Sequence, residues 1–426
     1  MFKSEIFKNV SVLSGGVLLA QIVPFLFAPW IARIYDAQSF GEFAAILGIL
    51  KVLIVIVNGR YDPAIVLPKK KADTYGLLIG NWVIALVFSV LVFVVLVIFQ
   101  DSISYYLEID FDVLDATLIM LCLLGMGFWQ PINYLFIRNK EFLKMTYNKF
   151  VKSSSTVLFT ILFGVFFQGS GVNGLVFGLT AGWLFIAVFS FLQSTKTIFN
   201  RFKKYSLFTR RMLVEYKDYP KYNALPAVLN SLGTQLGFYV FLYFFSTEVA
   251  GHYSFAKQYL HVPLSILGMS LSQVYFQRIS EKYKQKVSIL KEIKLLMLFL
   301  VLAAVLVCVI IVPFSEEIFI ILFGEQWLAS AQLSKLLIFA FSFQFVISPI
   351  SMVLHALNKV KLASVFPLIY VISIGLLFAV EFENLANFLP IYVVAEIIPY
   401  VIYLSMIVFA VLQYEKGLIN KQNVKA

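Results

Sequence analysis

Two lysines and a histidine lie inside long apolar segments, where charged side chains are rare. Lys51 falls in an apolar segment at residues 41–57, and Lys257 and His261 are four residues apart in another at 251–274. A charged side chain near the centre of a membrane costs about 3 kcal/mol on insertion scales. Such cations need an acidic partner, an aqueous cavity or a position from which the side chain can reach the membrane interface. In a cavity they would bind an anionic ligand.

Glu396 is the one carboxylate deep inside a predicted helix, at residues 388–413. Burial favours the protonated form of a carboxyl group, as a proton-coupling site requires. We predict Glu396 as an ion-coupling residue, with a structural hydrogen bond as the alternative.

Neutral polar residues extend this set of candidates. Asn58 and Gln258 lie on small or polar helix faces. Asn230 lies on the apolar segment at 222–245, where it lines a cleft or holds helices together. Arg33 is a further candidate for substrate binding, although an ion pair with Asp36 at the membrane interface would also explain its charge.

The motifs of most enzymes are missing from the sequence. It has no glycine-rich loop that would bind ATP, no metal-ligand cluster and no nucleophile with an evident base. Cys122 and Cys308 lie in apolar segments and predict neither a disulfide nor a metal site. We therefore expect a protein that is not an enzyme and has no metal or cofactor.

The composition is typical of a membrane protein. Hydrophobic residues make up 61% of the 426 residues and charged residues 13%. Apolar segments of about 20 residues, the length that crosses the hydrocarbon core, recur along the chain. We predict an all-α polytopic protein of about twelve helices, at residues 11–32, 41–57, 76–99, 114–137, 151–168, 172–193, 222–245, 251–274, 295–313, 332–355, 362–380 and 388–413.

The basic residues predict the orientation of these helices. All but four of the 34 Lys and Arg residues fall at the termini and in alternate connections, while the opposite connections are acidic. Cytoplasmic loops retain positive charge, so both termini are predicted to be cytoplasmic. The net charge of +11 therefore describes membrane topology and does not indicate nucleic-acid binding. The four exceptions are Arg33, Lys51, Lys257 and Lys335, of which Lys335 is expected to reach the outer interface.

An internal repeat supports two halves of six helices. Residues 41–58 align with 251–268 at an offset of 210, which pairs Lys51 with His261. We predict an N-terminal bundle at 1–193, a basic cytoplasmic linker at 194–221, a C-terminal bundle at 222–413 and a cytoplasmic tail at 414–426. Six helices return the chain to its starting side, so the halves would share one orientation and enclose a central cavity.

Several short stretches, in their order and spacing, are specific enough to indicate a family. They are APWIARIY at 28–35, FGEF at 40–43, RYDPAIVLP at 60–68, DYPKY at 218–222, AGHY at 250–253 and FGEQW at 323–327. Together they resemble the polysaccharide flippase branch of the multidrug, oligosaccharidyl-lipid and polysaccharide exporter superfamily, especially the Wzx-type lipopolysaccharide repeat-unit flippases.

The resemblance implies a function and a substrate. Members of this family carry undecaprenyl-diphosphate-linked oligosaccharides, such as O-antigen or capsule repeat units, to the periplasmic leaflet of the bacterial inner membrane. It also implies that Arg33, Lys51 and Lys257 bind the anionic diphosphate, and that Arg60 and Asp62 are signature residues in packing or gating. Other expected partners are membrane lipids, a polysaccharide polymerase and a chain-length regulator.

Two sources of energy and two other functions remain open from the sequence. The membrane potential could drive outward movement of the anion, or a proton or sodium gradient could do so. A drug or metabolite antiporter of the same superfamily is the nearest alternative. A membrane polymerase or ligase is the second, but such enzymes usually carry a large periplasmic loop, and the longest connection here is predicted to be cytoplasmic.

Overall fold

A computed structural model describes residues 20–167, 174–198, 205 and 207–423. Within these residues the chain is helical and has no β-strand, which confirms the predicted all-α class. The first part of the predicted helix at 11–32, much of the basic segment at 199–206 and the last three residues of the tail lie outside the described residues.

The length of the apolar helices determines the architecture. Nine helices in the described ranges are long and apolar enough to cross a membrane. Lipid offers no hydrogen bonds to the backbone, so each crossing segment must satisfy its own backbone groups as a helix. Their exposed side chains are accordingly large and apolar, as along Leu290–Phe323, where Leu302 is 60% exposed and Val309 is 62% exposed. The total of twelve crossings stays a prediction.

The described residues form two compact units. One comprises the residues up to Gln235 together with Ser246–Gly251, and the other comprises Leu236–Phe245 together with the residues from His252 onward. The helices of the N-terminal unit are α1 Ala28–Ile34, α2 Ala37–Leu53, α3 Lys71–Ile98, α4 Val113–Arg138, α5 Phe142–Phe166, α6 Gly174–Ile198 and most of α7 Asp218–Phe244.

The C-terminal unit begins with the last part of α7, and most of it lies in the helices that follow. They are α8 Thr247–Ala256, the π-helical turn Lys257–His261, α9 Val262–Gln285, α10 Leu290–Phe323, α11 Leu328–Ala356, α12 Phe366–Gly375 and α13 Leu385–Asn423. The helix predicted at 251–274 is therefore α8 and α9 joined by a π turn. Each predicted helix overlaps a helix of the structure.

In the N-terminal unit, α6 packs along both α5 and α4, and α3 packs along α4. Asp36 caps α2 by accepting from the Ser39 amide at 2.9 Å. Asp112 and Asp115 form a capping box at the start of α4. These caps satisfy backbone N–H groups that the first turn of a helix leaves without partners.

In the C-terminal unit, α11 is the central helix and packs against α9, α10 and α13. Aromatic contacts fill the space near its first turn. The Phe255 and Trp327 rings stack with their centroids 3.5 Å apart, and His252 Nδ1 lies 2.9 Å from Ser330 Oγ. Trp327 belongs to the FGEQW stretch, so this motif contributes a buried side chain that anchors α11.

Candidate functional site

A buried carboxylate in the C-terminal unit is surrounded by tyrosines and linked through them to a lysine. Glu396 is 5% exposed, and its Oε1 accepts hydrogen bonds from the Tyr370 hydroxyl at 2.8 Å and the Tyr392 hydroxyl at 2.6 Å. The Tyr392 hydroxyl lies 2.7 Å from the Tyr253 hydroxyl. Because the Tyr392 hydroxyl donates its one hydrogen to Glu396, the Tyr253 hydroxyl is the donor in the bond to Tyr392.

Lys257 completes this group. Its ammonium nitrogen lies 5.5 Å from the centroid of the Tyr253 ring, within the range of a cation–π contact, and it interacts electrostatically with Glu396. The chain of contacts runs from Lys257 through Tyr253 and Tyr392 to Glu396. We call Tyr253, Lys257, Tyr370, Tyr392 and Glu396 the Glu396 cluster.

Four elements and one glycine position the cluster. Tyr253 and Lys257 lie on α8 and the π turn, Tyr370 lies on α12, and Tyr392 and Glu396 are one turn apart on α13. Gly237 of α7 faces them, and a Cβ atom at this position would lie 2.5 Å from both the Tyr253 and the Tyr392 hydroxyls. A side chain at 237 would therefore displace the hydroxyls that hold the carboxylate.

The π turn gathers three of the predicted site residues. Lys257, Gln258 and His261 all lie on it, and Pro263 follows at the start of α9. Proline has no N–H and its ring clashes with the carbonyl four residues earlier, which explains why regular α-helical bonding is interrupted here. His261 Nε2 is buried without a hydrogen-bond partner, and the His261 ring lies 5.4 Å from that of Phe341. Such π turns occur often at functional sites.

The second cationic candidate lies in the N-terminal unit. Lys51 of α2 has an exposed side chain whose ammonium lies 3.4 Å from Gln235 Oε1 of α7. The Ser231 hydroxyl donates to the Lys51 carbonyl at 2.7 Å and fixes the two helices beside each other. Asn230 is exposed on α7 next to Ser231, and Arg33 is exposed in the last turn of α1. Lys51, Ser231 and Gln235 thus form a polar strip on α2 and α7, whereas Asn230, five residues before Gln235, lies on another side of α7.

Asn58 does not belong to this strip. It is 1% exposed, and its Nδ2 donates to the Asn81 carbonyl at 3.2 Å and the Gly127 carbonyl at 2.9 Å. The side chain connects the end of α2 to α3 and α4. Its donors are used by backbone carbonyls, which favours a structural role, and the substrate-binding role expected from the sequence stays a prediction.

Replacing Asn58 with Ala is expected to destabilise the protein by about 1–3 kcal/mol, since two buried carbonyls lose their donor. Thermal unfolding of the purified protein measures this change. Asn230→Ala is the matched control, because an exposed amide contributes little, and it should stay within about 0.5 kcal/mol. An unchanged melting curve for Asn58→Ala, together with weaker substrate binding, would instead support Asn58 as a substrate-binding residue.

Arg60 and Asp62 lie in the connection between α2 and α3. Asp62 is 5% exposed at the start of a short 3₁₀ helix, Asp62–Val66. Burial raises the pKa of the Asp62 carboxyl, an effect opposed by its own backbone hydrogen bond and by the positive charge of Arg60. Arg60 has a φ of 60°, and its buried Nε has no hydrogen-bond partner. A φ in this left-handed region is strained for a residue other than glycine.

Two groups of functional candidates were missed by sequence reasoning. The tyrosines of the Glu396 cluster were counted as part of the apolar segments, because a tyrosine two residues after a glycine or one turn before a carboxylate carries no distinctive signal. Lys152 was counted with a cytoplasmic connection, because it falls at the very start of the helix predicted at 151–168. In the structure α5 begins at Phe142, and Lys152 lies on it above the Trp183 ring at 4.4 Å. The three lysines at 144, 149 and 152 made the first turns of α5 appear to be a loop.

Two other predicted features have clear positions. Lys335 forms an ion pair with Glu316 at 2.7 Å, which accounts for its charge near the N-terminal end of α11. In the part of the chain that the structure describes, no group of three or more His, Cys, Asp or Glu side chains could hold a metal ion.

The fold, with nine helices in the described ranges that are long and apolar enough to cross a membrane, defines a class of protein, a polytopic membrane protein. A family model described as polysaccharide biosynthesis protein matches residues 30–332, and the chain belongs to that family. No curated protein matches the chain in sequence.

Solved structures share the fold at low sequence identity. A lipid II flippase MurJ in an inward closed conformation is 13% identical, with a TM-score of 0.68, and the alignment covers 98% of this chain and 92% of that chain. An inward-facing multidrug resistance MATE family transporter of the MOP superfamily is 12% identical, with a TM-score of 0.68 and coverage of 96% and 98%. The Vibrio cholerae MATE transporter VcmN in its bent form is 13% identical, with a TM-score of 0.55 and coverage of 96% and 99%.

Proposed function

We propose that this protein is a flippase that moves an undecaprenyl-diphosphate-linked oligosaccharide, such as an O-antigen or capsule repeat unit, from the cytoplasmic to the periplasmic leaflet by alternating access. The observation that carries the proposal is a pair of lysines, Lys51 on α2 and Lys257 on the π turn, in a polysaccharide biosynthesis protein whose fold is shared with a lipid II flippase. The predicted bundles at 1–193 and 222–413, the inner-membrane location and the cytoplasmic termini are parts of the same proposal.

The cations provide binding for a diphosphate. Lys51 in the N-terminal unit and Lys257 in the C-terminal unit each offer an ammonium group, and charge-assisted hydrogen bonds to phosphate are stronger than neutral ones. Gln258, His261, Asn230 and Arg33 supply further polar groups on the same elements or next to them. Arg60 and Asp62 are proposed to act in the packing or gating of the connection between α2 and α3.

Two driving forces suit this arrangement. Moving two negative charges out of a cell with a negative interior is favourable by about 4–5 kcal/mol per 100 mV. The Glu396 cluster offers a second route, because a proton or sodium ion at Glu396 would cancel the negative charge that attracts Lys257. The ammonium would then be more available to a substrate anion, and loss of the ion would favour release.

Lys257→Gln is expected to slow flipping about tenfold or more, equivalent to roughly 1.4 kcal/mol, because the diphosphate loses a charged donor. Purified protein in vesicles containing the lipid-linked oligosaccharide measures leaflet exchange. Lys335→Gln is the control, since that lysine is paired with Glu316, and it should change the rate less than about twofold. Equal rates for Lys257→Gln and wild type would remove Lys257 from the binding site.

The equal similarity to a MATE transporter supports a second candidate, a drug or metabolite antiporter. The same vesicles distinguish the two functions when they are loaded with small organic cations in place of the lipid-linked sugar. Exchange of the cations against a proton or sodium gradient, with no movement of the lipid-linked oligosaccharide, would replace the flippase proposal with this one. A polymerase or ligase would instead lengthen or transfer the glycan, which chromatography of the lipid extract would detect.

A further inference from the structure

Three helices of the N-terminal unit bring a lysine and two tryptophans together, and none of these residues belongs to the Glu396 cluster. Helices α4 and α5 each pack along α6, while they contact each other far less. Trp183 of α6 contacts a side chain from each of these two helices. Lys152 of α5 places its ammonium 4.4 Å from the centroid of the Trp183 ring, and the Trp129 ring of α4 meets Trp183 edge-on with centroids 5.3 Å apart.

Polar atoms in this region have no partners. Trp129 Nε1 and Thr156 Oγ1 are buried without a hydrogen bond, and the Thr156 hydroxyl belongs to the turn of α5 that follows Lys152. Gly182, next to Trp183 in sequence, packs directly against Thr156, so the hydroxyl lies against α6. Buried donors are nearly always satisfied in folded proteins, so such a group indicates a place where a polar ligand binds.

No carboxylate balances Lys152. Helices α5 and α6 contain no Asp or Glu, and on α4 the one acidic residue is Asp115 in the first turn. Among the ion pairs of the described residues, none involves Lys152. A lysine in a membrane helix that is held by an indole face is therefore available to an external anion.

We infer that Trp129, Lys152, Thr156 and Trp183 form a second binding site, which takes a sugar ring carrying an anionic group. The two steeply inclined indoles make an aromatic corner that fits the apolar face of a hexose. The ammonium, the indole N–H and the hydroxyl are hydrogen-bond donors to the ring substituents and to a phosphate or carboxylate. The inference rests on the proposed function in one respect, since it takes the glycan part of that substrate as the natural ligand.

Titration calorimetry on the purified full chain tests the site with soluble probes. Glucose 1-phosphate and glucuronic acid represent the two sources of the anionic group, with glucose and inorganic phosphate as the separate parts. We expect the wild type to bind at least one charged sugar, and Lys152→Met to weaken that binding about tenfold or more while preserving the volume of the side chain. Lys152→Arg should stay within about threefold, because it keeps the charge and the contact with the indole.

Lys144→Met is the matched control. Lys144 is on the same helix and also lies over an aromatic ring, 5.9 Å from the centroid of Phe136, but it is paired with Glu141. Binding should be unchanged in this variant. The inference is overturned if Lys152→Met binds as the wild type does, if neither charged sugar binds, or if inorganic phosphate binds as tightly as glucose 1-phosphate.

Flipping by the wild-type protein in vesicles separates this inference from the proposed function. Lys152-dependent binding of a charged sugar without any flipping of the lipid-linked oligosaccharide would reject the function and keep the site. Flipping with no Lys152-dependent sugar binding would reject the site alone.

Discussion

The Glu396→Gln variant is expected to lose most of its response to an ion gradient while keeping its fold. The glutamine oxygen can accept the same hydrogen bonds from Tyr370 and Tyr392, so the geometry of the cluster is preserved. The charge that interacts with Lys257 disappears, and with it any change of charge on binding a proton or sodium ion. We expect flipping driven by such a gradient to fall about tenfold or more, equivalent to roughly 1.4 kcal/mol.

The measurement uses vesicles with a pH gradient, a sodium gradient or a membrane potential imposed separately. Glu383→Gln is the control, because that carboxylate is exposed in the connection before α13. Tyr392→Phe breaks the hydroxyl link between Glu396 and Tyr253 and should weaken the same response. The remaining titratable neighbour is Tyr400, one turn further along α13, which interacts electrostatically with Glu396.

Two results would reject ion coupling at Glu396. The first is a Glu396→Gln variant that responds to the gradients as strongly as the wild type. The second is a wild type that responds to membrane potential and to neither gradient, which would instead support electrophoretic movement of the diphosphate.

The largest loss of stability is expected from Gly251→Val. At this position α8 crosses α2 with the two backbones in contact. A Cβ at Gly251 would collide with the Ala37 carbonyl and lie 2.8 Å from the Gly41 nitrogen, and a Cβ at Gly41 would collide with the Thr247 carbonyl. The Thr247 hydroxyl also donates to the Glu108 carbonyl at 3.0 Å, so this end of α8 cannot move away freely. Small residues at such a crossing allow membrane helices to approach closely.

We expect Gly251→Val to destabilise the protein by about 3 kcal/mol or more, because overpacking here must displace backbone. Thermal unfolding in detergent measures the loss. Gly375→Ala is the control, since no atom lies within 4 Å of a Cβ at that position and its φ of −63° is helical. That variant should be stabilised by about 0.5–1 kcal/mol. A normal melting temperature for Gly251→Val would mean that the helices do not cross this closely.

Sequence reasoning located the helices because length and hydrophobicity determine a membrane helix almost by themselves. It was least accurate where a helix contains charged residues. The turns of α5 that carry Lys144, Lys149 and Lys152 appeared polar enough to be a connection, yet Trp183 lets Lys152 remain within the helical bundle. Contacts of this kind depend on a distant residue and leave no local pattern.

The internal repeat was informative up to the π turn. The offset of 210 pairs Gly41 with Gly251, and these two glycines lie at the same helix crossing. It also pairs Lys51 with His261, a correspondence that assumes the same helical pitch in both segments. The turn at Lys257–His261 is wider than an α-helical turn, so faces beyond it no longer align residue by residue. Glu396 could be identified as a lone carboxylate, whereas its bond to Tyr370 required the tertiary structure.

The assignment of Ser246–Gly251 to the N-terminal unit has a consequence for how the chain is assembled during translation. The contact surface of α2 around Gly41 is complete only after the ribosome has synthesised the first turn of α8, about two hundred residues later. An early N-terminal intermediate therefore exposes backbone polar groups and glycines that the finished protein covers. A gene divided in the 194–221 connection would encode α2 and this segment on separate fragments. The two fragments would have to associate in the membrane before the contact surface of α2 is complete.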